Sequence, residues 1–187
     1  MEVVYEDNHI IIVNKHPGEI VQGDKTGDEP LVDTVRRYLK EKYDKPGNVF
    51  CGVVHRLDRP VWGLVVYAKT SKALARMNEM FRKGEVKKTY RAITRNMPPR
   101  PEDRLVHYIT STERNNKSHA SATPRPGAKE AVLGYRLIAS SDRYHLLEVN
   151  LETGRKHQIR VQLSAIGCPI KGDLKYGDKR SNPDGSI

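Results

Sequence analysis

Short runs of β-branched and apolar residues, each closed by turn-forming residues, recur along almost the whole chain and confine it to a sheet-based fold. Residues 3–5 and 9–13 flank Glu6-Asp7-Asn8, a turn-rich tripeptide that predicts a hairpin. Residues 49–57 and 64–69 read as two buried strands joined by the polar bend Asp58-Arg59-Pro60, which sets Asp58 at a strand end. Residues 89–94, 105–110, 131–139 and 144–151 continue the series, so the sheet is expected to be large and mixed. Loops fill 15–29 and the Pro-rich stretch 96–103. The stretch 111–129, rich in Asn, Pro and Gly, is expected to be a flexible surface loop or one that contacts a binding partner.

Stripes of helical period interrupt this pattern at three places. Pro30 suits a first helical position, and Leu31, Val35, Tyr38 and Leu39 form a one-sided stripe through Tyr43. Ser71 is the expected N-cap of a second helix, with Leu74, Met77 and Phe81 on its core side and Gly84 as its C-cap. After Thr153-Gly154, the stripe Ile159, Leu163 and Ile166 marks a third helix, ended by Gly167 and blocked by Pro169. His157 and Arg160, three residues apart, are expected to share one edge of it.

Composition narrows the function classes. At 187 residues, 37% hydrophobic and 30% charged, the chain is about one domain long and can bury a core. No apolar stretch approaches the roughly 20 residues that span a bilayer, and Met1-Glu2-Val3 lacks the basic start of a signal peptide. A cytoplasmic location without a membrane is therefore expected. Cys51 and Cys168 lie outside any Cys-x-x-Cys pattern, and Cys51 with His55 gives half of a metal spacing with no second pair, so reduced thiols and no metal are expected. Phosphate-cradling and dinucleotide-binding glycine patterns and the Gly-x-Ser-x-Gly elbow of serine hydrolases are all missing from the sequence. Lys and Arg number 33 against 23 acidic residues, a net charge of +10, which points to a polyanionic partner. The clusters Arg76, Arg82, Lys83, Lys87, Lys88 and Lys171, Lys175, Lys179, Arg180 are the candidate phosphate-tracking surfaces.

Two segments carry the chemistry. His55-Arg56-Leu57-Asp58-Arg59-Pro60-Val61-Trp62-Gly63-Leu64 and Gly154-Arg155-Lys156-His157-Gln158-Ile159-Arg160 each hold one member of a candidate carboxylate–guanidinium pair, Asp58 and Arg160. An arginine brought to a carboxylate from a distant element keeps an acidic group charged and oriented inside a cleft, although structural salt bridges have the same composition.

The words around both residues resemble signature segments of the RluA-type pseudouridine synthases. Asn14-Lys15-His16-Pro17-Gly18 is similar to that family's N-terminal motif, and Lys88-Thr89-Tyr90-Arg91-Ala92 to its Lys-x-Tyr-x-Ala strand. The segment from Ile166-Gly167-Cys168-Pro169 to Tyr176-Gly177 resembles its closing loop, so the likeness runs from about Tyr5 to Gly177. Where the family commonly has Thr-Ser before the glycine of the first signature, this chain has Val61-Trp62. The likeness leaves no room for the N-terminal S4 RNA-binding module of many relatives. The chain also ends at Ile187, before a further strand that relatives usually have, so it is read as one catalytic domain, 1–187, trimmed or unusually short.

The resemblance implies an α+β fold with a large, mixed, mainly antiparallel sheet, flanking helices and a central RNA-binding cleft. It implies an isomerase that converts uridines of structured tRNA or rRNA to pseudouridine, with RNA as partner, no cofactor, no metal, and a monomeric state. Asp58 is then the carboxylate acting at the ribose, as nucleophile or base. Tyr90 stacks the extruded uracil and assists at C5, and Arg160 keeps Asp58 charged and fixes its rotamer. Arg56 corresponds to the residue that relatives push into the RNA stack, and His55, Lys88, Arg155 and His157 complete the RNA-binding and base-flipping set. His55 also reads as a loop-packing histidine. The alternative is an RNA-binding protein of the same fold that has lost turnover, with Val61-Trp62 as the lesion; Asp58, Tyr90 and Arg160 occurring together favour catalysis.

Overall fold

The N-terminal hairpin forms where the turn-rich tripeptide predicts it. In the computed structural model, which describes residues 1–112 and 116–187, strand β1 (Glu2–Glu6) pairs antiparallel with β2 (Ile10–Lys15). The Asp7 carboxylate closes the turn by accepting the backbone N–H groups of His9 and Ile10, each at 2.7 Å. The chain divides into two units, Met1–Glu85 with Asp184–Ser186, and Val86–Pro183 with Ile187.

The first unit holds helix α1 (Leu31–Lys42), strands β3 (Gly52–Val53) and β4 (Gly63–Ala68), and helix α2 (Ser71–Arg82). Its sheet runs β1-β2-β4-β3 with every pairing antiparallel. The period-2 alternation of β2 and β4 turns Ile11, Val13, Val65 and Tyr67 to one face, where Leu31, Val32, Val35 and Leu39 of α1 pack on them. Helix α2 packs on β3 and β4 so closely that a Cβ at Gly52 would stand 2.8 Å from Leu74 Cδ2 and push that side chain aside. The cap of α2 is Thr70, one residue before the expected Ser71, and its side chain accepts the Ala73 N–H at 3.1 Å. Gly84, expected as the C-cap, follows the cap residue Lys83 and takes the left-handed conformation, φ 71°.

The second unit holds β5 (Thr89–Thr94), β6 (Glu102–Thr112), β7 (Lys117–Ser121), β8 (Lys129–Ser140), β9 (His145–Leu151) and helix α3 (Gln158–Ala165), followed by a 3-10 turn, Leu174–Tyr176. Its sheet runs β5-β9-β8-β6-β7, again antiparallel throughout. Leu105, Leu133, Tyr135, Leu147 and Val149 meet Leu163 of α3 and Ile170 in the core.

The class is α+β with antiparallel sheets and flanking helices. Three expectations change in detail. The described strands form two sheets of four and five strands where one large mixed sheet is predicted. The strand predicted over 49–57 shrinks to Gly52–Val53, because the Val66 N–H, which a longer β3 would engage, is taken at 3.1 Å by Nε2 of His55. The predicted loop over 111–129 contains β7, paired with β6; the part of it at 113–115 lies outside the described residues.

Candidate active site

The Asp58 segment occupies 54–62, between β3 and β4, and is held from several directions. Asp58 therefore lies in a loop, not at the end of a strand. Lys15, the last residue of β2, is 0% exposed, and its ammonium donates to three backbone carbonyls: His16 at 3.0 Å, Arg59 at 2.9 Å and Val61 at 2.8 Å. Two of these carbonyls belong to the residues just after Asp58. Burial pulls the Lys15 ammonium down to about 8, the Glu19 and Asp58 carboxylates oppose this, and Arg59 adds to it. The Arg59 carbonyl also accepts the Gly18 N–H at 2.9 Å, and the Val61 N–H returns to the Asp58 carbonyl at 3.0 Å. The Arg59 guanidinium binds the Asp28 carboxylate at 2.7 Å and the Thr26 hydroxyl at 2.8 Å. Gly63, which ends the segment, has φ 141°, and a Cβ there would meet Leu57 Cδ1 at 3.3 Å, so glycine serves both the turn and the packing.

Within this frame Leu57 packs on the core of the first unit, Asp58 is half-buried and Arg56 is exposed. His55 caps the Val66 N–H and stacks on Phe81 of α2, with ring centroids 5.2 Å apart and planes at 19°. Its imidazole thus has a packing task whatever else it does. Trp62 is 53% exposed and meets the His16 ring edge-on at 5.1 Å.

In the second unit, Tyr90 lies on β5 opposite Val149, half-buried with its ring against the core. Lys88 is half-buried, and burial lowers its pKa. A Cβ at Gly154 would stand 3.7 Å from Lys88 Nζ, so the Lys-x-Tyr-x-Ala strand and the Gly-Arg-x-His-Gln segment meet there. The latter segment is pinned to β8. Gln158 donates to the Val132 carbonyl at 3.0 Å and accepts the Arg155 N–H at 2.9 Å and the Thr153 hydroxyl at 2.8 Å. Arg155, expected on the RNA side, is exposed but gives its Nε to the Glu130 carbonyl at 2.8 Å.

Arg160 is 8% exposed and forms a two-pronged pair with Asp173, Nε to Oδ2 at 2.7 Å and Nη2 to Oδ1 at 2.9 Å. Its guanidinium also lies over the Tyr176 ring, 4.9 Å from the centroid. His157 precedes α3 in the left-handed conformation, φ 55°, so it does not share a helix edge with Arg160. Both residues nonetheless meet on Tyr176, whose hydroxyl lies 2.7 Å from His157 Nδ1 and accepts the Ser118 N–H at 2.8 Å. Sequence reasoning missed Lys15 as an organiser, and Asp173 and Tyr176 as the partners of Arg160. A lysine closing the run Ile10-Ile11-Ile12-Val13-Asn14 was the available signal for the first.

The basic clusters are partly compensated. Arg82 and Lys83 share Glu79, and Lys175 donates to the Asn116 carbonyl at 2.9 Å. Among the described residues no group of three His, Cys, Asp or Glu side chains could hold a metal, and no helix is long and apolar enough to cross a membrane. Cys51 and Cys168 are buried free thiols, the first pushed up to about 12 by burial.

The family model for RNA pseudouridylate synthase matches residues 9–165, a span that includes both the Asp58 loop and the Gly-Arg-x-His-Gln segment, and the chain belongs to that family. Among relatives, it is 34% identical to ribosomal large subunit pseudouridine synthase D of Yersinia pestis, over 100% of this chain and 55% of that protein. It is 31% identical to tRNA pseudouridine synthase C of Pectobacterium carotovorum, over 97% of this chain and 50% of that one. The chain thus spans about half the length of these curated relatives. The solved structure of human RNA pseudouridylate synthase domain containing 4 superposes with a TM-score of 0.80 at 28% identity, over 96% of this chain and 70% of that one.

Proposed function

We propose that the chain is a catalytic domain that isomerises uridines of structured tRNA or rRNA to pseudouridine without a cofactor. The reaction breaks the C1′–N1 bond, turns the base while it is held, and joins C1′ to C5. C5 gives up a proton and N1 takes one, so the product is an isomer of the substrate and neither an oxidant nor a reductant takes part. Asp58 is the carboxylate acting at the ribose, as nucleophile or base. Tyr90 supplies a flat ring for the uracil and a phenol near C5, and Arg160 supplies the cation that offsets the carboxylate charge. Arg56 enters the RNA stack, His55 supports the loop, and Lys88, Arg155 and His157 serve RNA binding. The two units act together as one domain, working as a cytoplasmic monomer without metal or membrane.

One observation carries this reading: the carboxylate of the family's signature segment sits in a loop whose backbone is caged by a fully buried lysine, Lys15. A reacting group has to be held within a fraction of an ångström of its working geometry, and a loop achieves that only when its backbone is tied down. Support also comes from the family match, which runs through both units, and from the net charge of +10. The test is to map pseudouridines in total RNA of a deletion strain and then add back the purified chain. Particular tRNA or rRNA sites should disappear and be restored by the wild-type chain but not by Asp58→Asn. An unchanged pseudouridine map, with RNA binding retained, would leave the inactive RNA-binding reading standing.

A further inference from the structure

Trp62 is the chain's one tryptophan and stands 53% exposed, an expensive place for so large an apolar surface. It is not loosely held. On one side Val61 is fixed at both backbone groups, its N–H donating to the Asp58 carbonyl at 3.0 Å and its carbonyl accepting from Lys15 Nζ at 2.8 Å. On the other, Gly63 enters β4 directly opposite Lys15 in the ladder, in a conformation, φ 141°, that side chains rarely adopt. The His16 ring meets the indole at 66° and 5.1 Å. The ring is thus oriented in advance, in the loop that carries Asp58, and it takes no part in the core of its unit.

The surroundings say what such a ring can receive. Its neighbours along the loop include Arg56, Asp58 and Arg59, and the abutting His16 is polar; of the apolar residues beside it, Leu64 is exposed to the same extent, 53%. A flat aromatic in a loop that also carries the exposed Arg56 fits a nucleobase with its attached phosphate, and because every base has a π-face the fit tolerates any sequence. Holding the ring still beforehand reduces the ordering that binding would otherwise require.

We propose that Trp62 is a base-stacking subsite that takes a nucleobase of the RNA neighbouring the target uridine. The proposal rests on the reading of the chain as an RNA-modifying enzyme and adds to it the place where the RNA beside the target is held. The Thr-Ser that the family commonly has at 61–62 offers no such ring, so the subsite distinguishes this chain from relatives with that pair.

Because Trp62 is the only tryptophan, its fluorescence reports on this position alone. Bulk tRNA titrated into the full chain should quench the emission in step with binding followed independently by filter retention. Heparin, a polyanion without bases, should bind without quenching. Trp62→Ala should raise KM for C5-hydrogen release from tRNA about 10-fold, with kcat within a few fold, and Trp62→Phe should restore most of the loss. Binding of tRNA with unchanged emission, or equal quenching by heparin, overturns the subsite while leaving the proposed activity intact. An unaltered KM in a folded Trp62→Ala protein does the same; if that variant fails to fold, the wild-type titration still decides. Quenching on binding without any C5 release by the wild type would keep the subsite and overturn the proposed activity, and failure to bind tRNA or rRNA at all would overturn both.

Discussion

Lys15 and Lys69 stand at opposite ends of the β2–β4 ladder, the first opposite Gly63 and the second just past Ala68, and both are almost fully buried. Their surroundings differ. Lys69 meets the Glu6 carboxylate at 2.7 Å and the Asp7 carbonyl at 2.6 Å, under the Tyr43 ring. Burial pushes its pKa down, but the Glu6 and Tyr43 hydrogen bonds outweigh burial and raise it. Glu6 is as fully engaged: burial would raise its carboxyl, yet hydrogen bonds from Lys42, Lys69, Tyr43 and Tyr38 hold it at about 2. Lys15 has only carbonyls in direct contact and falls to about 8. A buried charge matched by a carboxylate in contact is a staple. One matched only by backbone dipoles shapes a loop, and the loop it shapes carries Asp58.

The largest effect should come from Lys15→Met. It leaves three carbonyls without their shared donor and frees the backbone on which Asp58 rides, so turnover should fall by about 100-fold or more. Melting stability should fall as well, by about 1 to 3 kcal/mol for each carbonyl left buried without a donor, offset in part by the removal of a desolvated charge. Wild-type pH dependence offers a gentler version. Above about pH 8 Lys15 gives up a proton and retains two N–H donors for three acceptors, so turnover should decline there. The folded pKa lies below the ordinary 10.5, so between about 8 and 10.5 the unfolded chain binds more protons, and this group makes stability rise with pH. A pH–rate profile measured beside thermal melts separates the two; turnover falling only in step with melting would break the comparison.

Arg160 sharpens the contrast because it is paired like Lys69 yet assigned to the reaction. Arg160→Ala leaves Asp173 buried without its guanidinium and should cost on the order of 3 to 5 kcal/mol in chemical denaturation, with turnover lost as well. An unchanged denaturation midpoint would show the pair to be energetically silent.

At the Lys69 end only stability should move. Lys69→Met should cost about 3 kcal/mol, near the low end for a broken buried pair because Lys42, Tyr38 and Tyr43 still serve Glu6, and turnover at permissive temperature should stay within a few fold. Glu6 contributes stability that is fully present above about pH 4.5 and lost as pH falls through about 2, up to about 3 kcal/mol. Acid denaturation of Lys69→Met should therefore show a smaller loss over that interval than the wild type.

Much of this was legible in the residues. Strand β5 over 89–94, and helices α1 and α2 to within a residue or two, follow from alternation and from one-sided stripes, which are local properties. The division into two sheets was not, because period-2 alternation says that a strand has two faces without saying which strands it joins. The strand over 49–57 was overread since Val49, Phe50, Val53 and Val54 have strand composition, while a side chain, His55, settles the Val66 N–H. The segment words singled out Asp58, Tyr90 and Arg160 as candidates. The cage of Lys15 and the Asp173 partner of Arg160 depend on side-chain reach across the fold, which spacing does not encode.

The central claim is that the Asp58 loop is the working end of the ladder. The most direct measurement is tritium release from C5-labelled uridine in the host's total tRNA and rRNA, run with the wild type, Asp58→Asn and Lys69→Met at equal folded concentration and without added metal or nucleotide. The account predicts release by the wild type and by Lys69→Met, and none by Asp58→Asn although that variant binds the same RNA within a few fold. Release by purified Asp58→Asn, or its loss in folded Lys69→Met alone, would contradict it.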